Sequence, residues 1–538
     1  MLPFITRLGA SMLVVVGLAG CAVTPPSPTV AVRVLAINDF HGHLQAPTGG
    51  FRQPDPATPG RMLSQPAGGA AHLATAVREA RAGHPHTVFV AAGDLIGASP
   101  LISALFKDEP TVQALGEMGL FASAVGNHEF DRGAAELLRL QGLSRFQYLA
   151  ASTVDTRTGR TLLPAYAVQR FDGVPVAFIG LTLKATPSIV VPQGVAGLRF
   201  DDEADTVNAL VPQIRAQGIA AIVLLIHEGG FPAQGPNDCP GLSGPIVGIV
   251  ERLDPLVKLV ISGHTHRAYN CRMGGKLDGR LVTSADRYGT VLSHIDLTLD
   301  RRSGELLDAR ADNVVVSPLR FAADPRIEAL VAEVAERARP LAQRMVGRLP
   351  VALPRDAAPN GESPVGRYVA DAQLAATRGA GAQLALMNPG GLRNPLSPAP
   401  DGTLRYEDLF SVQPFYNNLV TLTLSGAELR QLLERQWQGQ PFARVLQPSG
   451  GFGYTWDAAR PEGQRVLPGS LRLNGQPVAD NDAVRLTVNS FLAGGGDNFD
   501  GLKAGRDRVT GTMDIDALEA YVASGALPAM DTRIQRQN

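Results

Sequence analysis

Four short apolar runs, each stopping at residues able to ligate a metal ion, constrain this 538-residue chain more than any other feature. Val32 to Ile37 stops at Asn38-Asp39, Thr87 to Ala92 at Gly93-Asp94, Ala221 to Ile226 at His227, and Leu259 to Ile261 at Ser262-Gly263-His264. Short runs rich in β-branched residues and bounded by turn formers read as buried strands. Stretches with helical apolar spacing, such as Ala70 to Arg81 and Thr111 to Met118, lie between them. Strands alternating with helices predict a layered α/β architecture, in which chemically active side chains gather beyond the C-terminal ends of the strands.

The residues at those ends form a set of donors. Asp39-Phe40-His41 puts two candidate ligands two residues apart, on one side of an extended chain. Asp94 follows a glycine that lets the backbone approach a ligand, and a carboxylate there can bridge two cations. Gly126-Asn127-His128-Glu129 precedes Asp131, and Gly263-His264-Thr265-His266 supplies two more imidazoles. Any one of these pieces alone fits a solvated turn. In this order, after separate strands, Asp39, His41, Asp94, Asn127, His227, His264 and His266 read as one metal centre.

Length implies more than one core, because single cores stop growing below this size. The first domain is expected over residues 31–320, a linker helix over 321–346 and a second domain over 347–530. Gly49 to Gly69, rich in Pro and Gly, reads as a surface insertion. The linker shows helical periodicity from Pro325 to about Val346, with an interruption expected at Pro340. In the second domain, strands Leu419 to Leu424 and Ala483 to Val488 alternate with short helices around Ser425 to Gln436. A net charge of −1 gives no overall basic field for a nucleic-acid polymer, whereas a small anion suits a site in which metals supply positive charge. Nothing in the pattern sets an oligomeric state.

Residues 1–20 read as an export signal: Arg7, a short apolar core from Leu13 to Ala19, and a small-residue cleavage site. Leu18-Ala19-Gly20-Cys21 resembles the lipobox of bacterial lipoproteins, which implies acylation of Cys21 and a lipid anchor, with 21–30 as a Pro-rich tether. Ala22 after the cysteine resembles the outer-membrane sorting pattern, so the expected location is the outer membrane, facing the periplasm. Two cysteines remain, Cys239 and Cys271. A disulfide between them is favoured over free thiols, since both lie in loop-like sequence flanking a metal motif and export implies an oxidising compartment.

DFHGHL, GDLIGAS, GNHEFDRG, the strand-end His227 and GHTH, in that order, resemble the calcineurin-like metallophosphoesterases. More closely they resemble the bacterial 5'-nucleotidase and UDP-sugar hydrolase branch, which includes animal ecto-5'-nucleotidase. The resemblance implies a four-layer α/β/β/α metallophosphoesterase domain followed by a C-terminal α/β 5'-nucleotidase domain that binds substrate. It implies one metal on Asp39, His41, Asp94 and His266, and a second on Asp94, Asn127, His227 and His264, with Asp94 bridging. The two divalent ions would be Zn, Mn, Mg or Co, and the identity stays open because some members have Gln at the position of His266. Such a pair lowers the pKa of a bridging water to give the attacking hydroxide. His128 and Asp131 resemble the family's catalytic pair: the Asp orients an imidazole that stabilises the transition state or assists the leaving oxygen.

A second motif set lies in the C-terminal half: Asn388-Pro389-Gly390-Gly391-Leu392-Arg393, Gln413-Pro414-Phe415-Tyr416-Asn417 and Ser490-Phe491 through Asp497. Taken alone, Phe415 and Phe491 would be core residues. By resemblance they sandwich the nucleobase, Asp497 accepts the ribose hydroxyls, Asn388 and Asn417 make polar contacts, and Arg393 grips phosphate. The chain departs from its relatives in having only Arg355 upstream of Glu362 to Gly366, with Arg367 after it. That shifts the expected substrates from diphosphates toward 5'-monophosphates or 2',3'-cyclic nucleotides. The expected function is hydrolysis of extracytoplasmic nucleotides to nucleoside and phosphate. A cyclic-nucleotide phosphodiesterase, a UDP-sugar hydrolase and a non-catalytic nucleotide-binding lipoprotein remain alternatives.

Overall fold

The computed structural model describes residues 27–538 except 56, 59–60, 234, 274–278 and 441. The export signal 1–20, Cys21 and most of the tether lie outside the described residues. The first strand, Thr29–Ile37, already includes the end of the expected tether. Among the described residues, no helix is long and apolar enough to cross a membrane.

The first domain is built on two six-stranded sheets. One runs Leu306–Val315, Val291–Asp300, Thr29–Ile37, Thr87–Ala91, Leu120–Ala124, Gln147–Leu149, its last four strands parallel. The other runs Ala268–Met273, Arg280–Ala285, Val257–Ser262, Ala221–His227, Val174–Thr182, Tyr166–Phe171, its middle four strands parallel.

Alternation along the strands explains why the runs are apolar throughout. Val34, Ala36 and Val90 face the second sheet and meet Val223, Leu225 and Leu259. Leu35, Ile37, Phe89 and Ala91 face the opposite way, against the helix Ala70–Arg81. On the second sheet, Ile222, Leu224 and Ile226 pack on Val207, Val211 and Ile214 of the helix Glu203–Ala216. A strand covered on both faces needs no polar side, and the result is helix, sheet, sheet, helix.

Register decides where the donors fall. Ile37 pairs with Ala91 and Ala91 with Ser123, so Asp39, Asp94 and Asn127 leave their strands at one level. In the other sheet Ile226 pairs with Ser262, which puts His227 level with the turn that carries His264.

The second domain has a five-stranded sheet in the order Gln447–Pro448, Leu384–Met387, Ala483–Asn489, Asn418–Ser425, Arg506–Met513. Helix Gly426–Glu434 begins at a capping box: Ser425 Oγ accepts from Glu428 N and the Glu428 carboxylate accepts from Ser425 N. The C-terminal strand Ile534–Gln537 pairs with Phe452–Asp457, so the domain extends to Gln537 rather than stopping at 530.

Helix Pro325–Ala342 differs from expectation. It runs through Pro340 and ends two residues later, so the proline sits in the last turn, where its missing N–H removes one terminal bond instead of breaking the helix. Ile327, Val334 and Ala338 belong to the first domain's core, and Ala342 to a cluster with Leu349, Val365 and Leu404 of the second. The insertion also holds more structure than its composition suggests: Phe51–Pro54 and Met62–Gln65 form a hairpin that buries Phe51 against Ala67, Ala268 and Val291.

Cys239 and Cys271 are joined by a disulfide across 32 positions, tying the loop after His227 to an edge strand. Closing a loop of that length restricts the unfolded chain, so Cys239→Ser with Cys271→Ser should lower stability by about 2–4 kcal/mol. Denaturant unfolding of the oxidised protein and the double variant measures it, and coincident midpoints would disprove the effect.

Candidate active site

Five of the seven expected donors have left-handed backbone conformations: Asp39 (φ 49°), His41 (46°), Asp94 (49°), His264 (69°) and His266 (53°). Asp and His tolerate that region better than most residues, yet each such turn still costs on the order of 1–3 kcal/mol. The chain thus bends sharply just past each strand, where one would otherwise expect glycine. Glycines do the remaining work at the closest approaches. A Cβ on Gly126 would stand 2.2 Å from Asp94 Oδ1, and one on Gly93 would stand 2.7 Å from His227 Nδ1.

Three overlapping donor groups result among the described residues: Asp39, His41 and His266; His41, Asp94 and His128; and Asp94, His227 and His264, the ligand atoms of each lying within 4.8 Å of one another. Asp94 joins the clusters, with Oδ2 2.9 Å from His227 Nε2 and 3.6 Å from His41 Nε2. His266 Nε2 is 3.2 Å from both Asp39 Oδ1 and His41 Nε2. Asn127 presents a buried Oδ1 with no hydrogen-bond partner.

The donor set fits metal ions. Asp39 Oδ1 and Asn127 Oδ1 are buried and accept no hydrogen bond, a state that costs about 1–3 kcal/mol per group unless something binds there. His41 Nδ1 contacts Gly97 O at 2.8 Å and His227 Nδ1 contacts Ala92 O at 2.8 Å. Each ring donates at Nδ1 and leaves the Nε2 lone pair free for a cation. Burial pulls His264 down to about 4 and holds His41 and His266 below the usual imidazole range, which keeps them as neutral ligands. Burial also opposes charge on His227, but Asp94 pushes it up to about 10. That spot therefore stabilises a positive charge, the sign a metal ion supplies.

His128 shares a donor group with His41 and Asp94 but is also engaged elsewhere. Its Nδ1 lies 2.8 Å from Asp131 Oδ2, and its backbone N–H donates to Asp94 Oδ1 at 2.9 Å. Burial pulls the imidazole down, but Asp131 and Asp94 outweigh it and leave the pKa raised. The chain therefore places a ring able to carry a proton beside the carboxylate that joins the metal clusters.

Two second-domain residues reach the same place. The Phe415 ring stacks on His128, with centroids 5.9 Å apart and planes at 24°. Arg393 Nη2 lies 3.4 Å from His41 Nε2. Phe491, half-buried, lies against Gly496, where a Cβ would stand 2.4 Å from the ring. Asp497 accepts from Asn388 Nδ2 at 2.8 Å and pairs with Arg444 at 3.2 Å. Asn388 Oδ1 accepts from Asn489. Asn417 has both ends committed internally, accepting from Ser490 Oγ at 3.1 Å and donating to Asp514 at 3.4 Å, so it ties two loops together. Arg355 donates to Leu392 O beside Arg393, whereas Arg367 is turned to Asp531 O.

Four residues were not singled out from the sequence. The buried Glu129 carboxylate accepts the backbone N–H of Asp94 (3.0 Å), Leu95 (2.7 Å) and Gly126 (2.7 Å), fixing the two ligand loops to each other. Asn38 donates to Asp39 Oδ2 and to Asp286 O, and accepts from Ala285 N. Arg444 orients Asp497, and Arg287 stands 3.5 Å from His266 Nδ1. For Glu129 and Asn38 the available signal was adjacency to a ligand; Arg287 and Arg444 carried none.

Residues 32–268 match the calcineurin-like phosphoesterase family and residues 345–504 the 5'-nucleotidase C-terminal domain. The chain is 30% identical over 532 residues to endonuclease YhcR of Bacillus subtilis, covering 95% of this chain and 41% of that protein. It is 29% identical over 534 residues to cell wall protein Lmo0130 of Listeria monocytogenes, covering 90% and 66%. The chain thus spans less than two thirds of the length of these two curated relatives. Its fold superposes on the 5'-nucleotidase precursor of Thermus thermophilus with a TM-score of 0.79 and 26% identity, over 95% of this chain and 100% of that one.

If Asp94 serves both metal positions, Asp94→Ala should remove most bound metal and abolish phosphoester turnover. His128→Ala should keep its metal and lose turnover by about 10²-fold or more, the range for a general acid. Elemental analysis with a p-nitrophenyl phosphate assay decides it, and metal loss confined to the His128 variant would reverse the assignment.

Proposed function

Because this chain belongs to the 5'-nucleotidase family of calcineurin-like phosphoesterases, we propose that it hydrolyses extracytoplasmic nucleotides, chiefly nucleoside 5'-monophosphates, to nucleoside and phosphate. The observation that carries this reading is the stacking of Phe415 on His128. An aromatic ring from the second domain meets His128 of the first beside the ligand clusters, as a substrate joining a planar base to a phosphate requires.

Asp39, His41, Asp94 and His266 would hold one divalent cation, and Asp94, Asn127, His227 and His264 the other. When bound, the pair supplies Lewis acidity toward the phosphoryl oxygens and a water activated for attack. The chain does the rest. Arg393, beside His41, binds phosphoryl oxygens through its guanidinium. Phe415 and Phe491 grip the base, and Asp497, steadied by Asn388 and Arg444, accepts the ribose hydroxyls. Water adds to phosphorus as the bond to the 5' oxygen breaks, and His128, oriented by Asp131, gives its proton to the leaving oxygen. The Cys239–Cys271 disulfide supports an extracytoplasmic setting. The lipid anchor on Cys21 rests on the N-terminal sequence alone.

Kinetics on AMP, 2',3'-cyclic AMP and UDP-glucose should rank AMP first in kcat/KM; a higher value for either other substrate would replace the assignment. Phe415→Ala and Phe491→Ala should each weaken nucleotide binding by about 1–3 kcal/mol and leave p-nitrophenyl phosphate turnover nearly unchanged. Equal losses on both substrates would make these rings core residues.

A further inference from the structure

We infer that Asp514 is a positioning residue for the nucleobase: acting through Asn417 and Ser490, it fixes the loops of Phe415 and Phe491 relative to each other. This rests on the nucleotide reading above, which gives the base to those two rings.

The sheet of the second domain brings the three residues together. Strand Asn418–Ser425 lies between Ala483–Asn489 and Arg506–Met513 and runs antiparallel to both. Leu419 pairs with Asn489 and Asn418 with Met513, so Asn417, Ser490 and Asp514 leave the three strands at one end of the sheet. Phe415 lies just ahead of Asn417, and Phe491 directly follows Ser490. Asn417 takes the middle place and bonds both ways. Its Oδ1 accepts from Ser490 Oγ at 3.1 Å, and its Nδ2 donates to Asp514 Oδ2 at 3.4 Å. Asp514 also donates its backbone N–H to Asn417 O at 2.7 Å. Side chain and backbone of Asn417 are therefore both tied to Asp514, and the loop of Phe415 is tied with them.

Helix formation alone does not account for Asp514. An acid in the first turn of helix Asp514–Ala523 is favoured by the helix terminus even at the surface. Asp514 is instead 1% exposed. Its Oδ1 accepts the N–H of Ile515 at 2.8 Å and serves the helix start, whereas Oδ2 is turned to Asn417. Burial pushes its pKa up to about 7, against the bonds from Asn417 and Ile515 that favour the charged form. An ionised carboxylate only accepts hydrogen bonds, so it draws the amide N–H of Asn417 and leaves the amide oxygen for the Ser490 hydroxyl. The order of acid, amide and hydroxyl is thus set from the Asp514 end. Asn489, next to Ser490, donates to Asn388 Oδ1, and Asn388 donates to Asp497, so the proposed ribose acceptor hangs from the same strand end. Among the described residues, no donor of the metal clusters contacts the Asp514 carboxylate.

The test compares KM and kcat for AMP, ribose 5-phosphate and p-nitrophenyl phosphate in the wild type, Asp514→Ala, Asp514→Asn and Ser490→Ala, with metal content and thermal unfolding measured on each. The wild type should show a lower KM for AMP than for ribose 5-phosphate, which lacks the base. Asp514→Ala should raise the KM for AMP by about tenfold, within what one stacking face contributes. Its kcat on AMP, KM for ribose 5-phosphate, turnover of p-nitrophenyl phosphate and metal content should change little. Asp514→Asn, whose side chain can still bond Asn417, should recover most of the AMP affinity. Ser490→Ala cuts the chain at a half-buried hydroxyl and should raise the KM for AMP alone, which keeps the inference testable if Asp514→Ala does not fold. Equal rises in KM for AMP and ribose 5-phosphate, an unchanged KM for AMP in the alanine variants, or an Asp514→Asn variant as weak as Asp514→Ala would overturn the role of Asp514. A wild type with the same KM for AMP and ribose 5-phosphate would instead overturn the nucleotide reading itself.

Discussion

The architecture of the site depends on one buried carboxylate. Asp94 contacts His227 through one oxygen and the His128 backbone through the other, and its own backbone is pinned by Glu129. Asp39 is also fully buried nearby, and burial first and Asp94 further raise its pKa to about 6, with His227 acting against them. Two acidic groups in so little water are tolerable only with positive charge between or beside them. His227 meets that need in part. A pair of divalent cations would meet it, and Asp39 and Asn127 offer buried oxygens that accept no hydrogen bond.

This requirement explains features that make no sense as packing. Five left-handed non-glycine turns gather in one region, and glycines 93 and 126 leave no room for a methyl group. Each weakens the fold locally. The two sheets offset that loss, since their inner faces bury Val34, Val90, Val223 and Leu259 in a layer with no polar obligation. Apolar area buried at roughly 25 cal/mol per Å² accumulates quickly across such a layer, so the strand ends can carry strain.

The layered fold and the donors were legible because both rest on local pattern. An apolar run fully buried on both faces must end where polarity begins, and Asp39, Asp94, His227 and His264 mark those ends. Other features were hidden because they depend on pairs distant in sequence or on position within an element. Glu129 looks like any polar neighbour of a ligand until its three N–H partners from two loops are seen. Asn417, grouped by motif with the substrate residues, spends both ends on Ser490 and Asp514. Pro340 predicts a broken helix only if the helix continues well beyond it, and this one ends at Ala342. Arg287 follows a strand, Arg280–Ala285, that ends at none of the metal-binding residues, so its proximity to His266 is a product of sheet order.

The domains meet on the ligand shell itself. Phe415 rests on His128, Arg393 reaches His41, and the Arg132 guanidinium lies 6.0 Å over the Tyr416 ring, next along the chain from Phe415. Neither domain alone holds both a donor cluster and the aromatic ring stacked beside it. The covalent link reinforces the joint, because helix Pro325–Ala342 is built into the first core through Val334 and Ala338 and enters the second at Ala342. Leu101 and Ala104 of the first domain belong to that same second-domain cluster. Any reorientation of the domains must therefore open this apolar seam together with the contacts at His128 and His41.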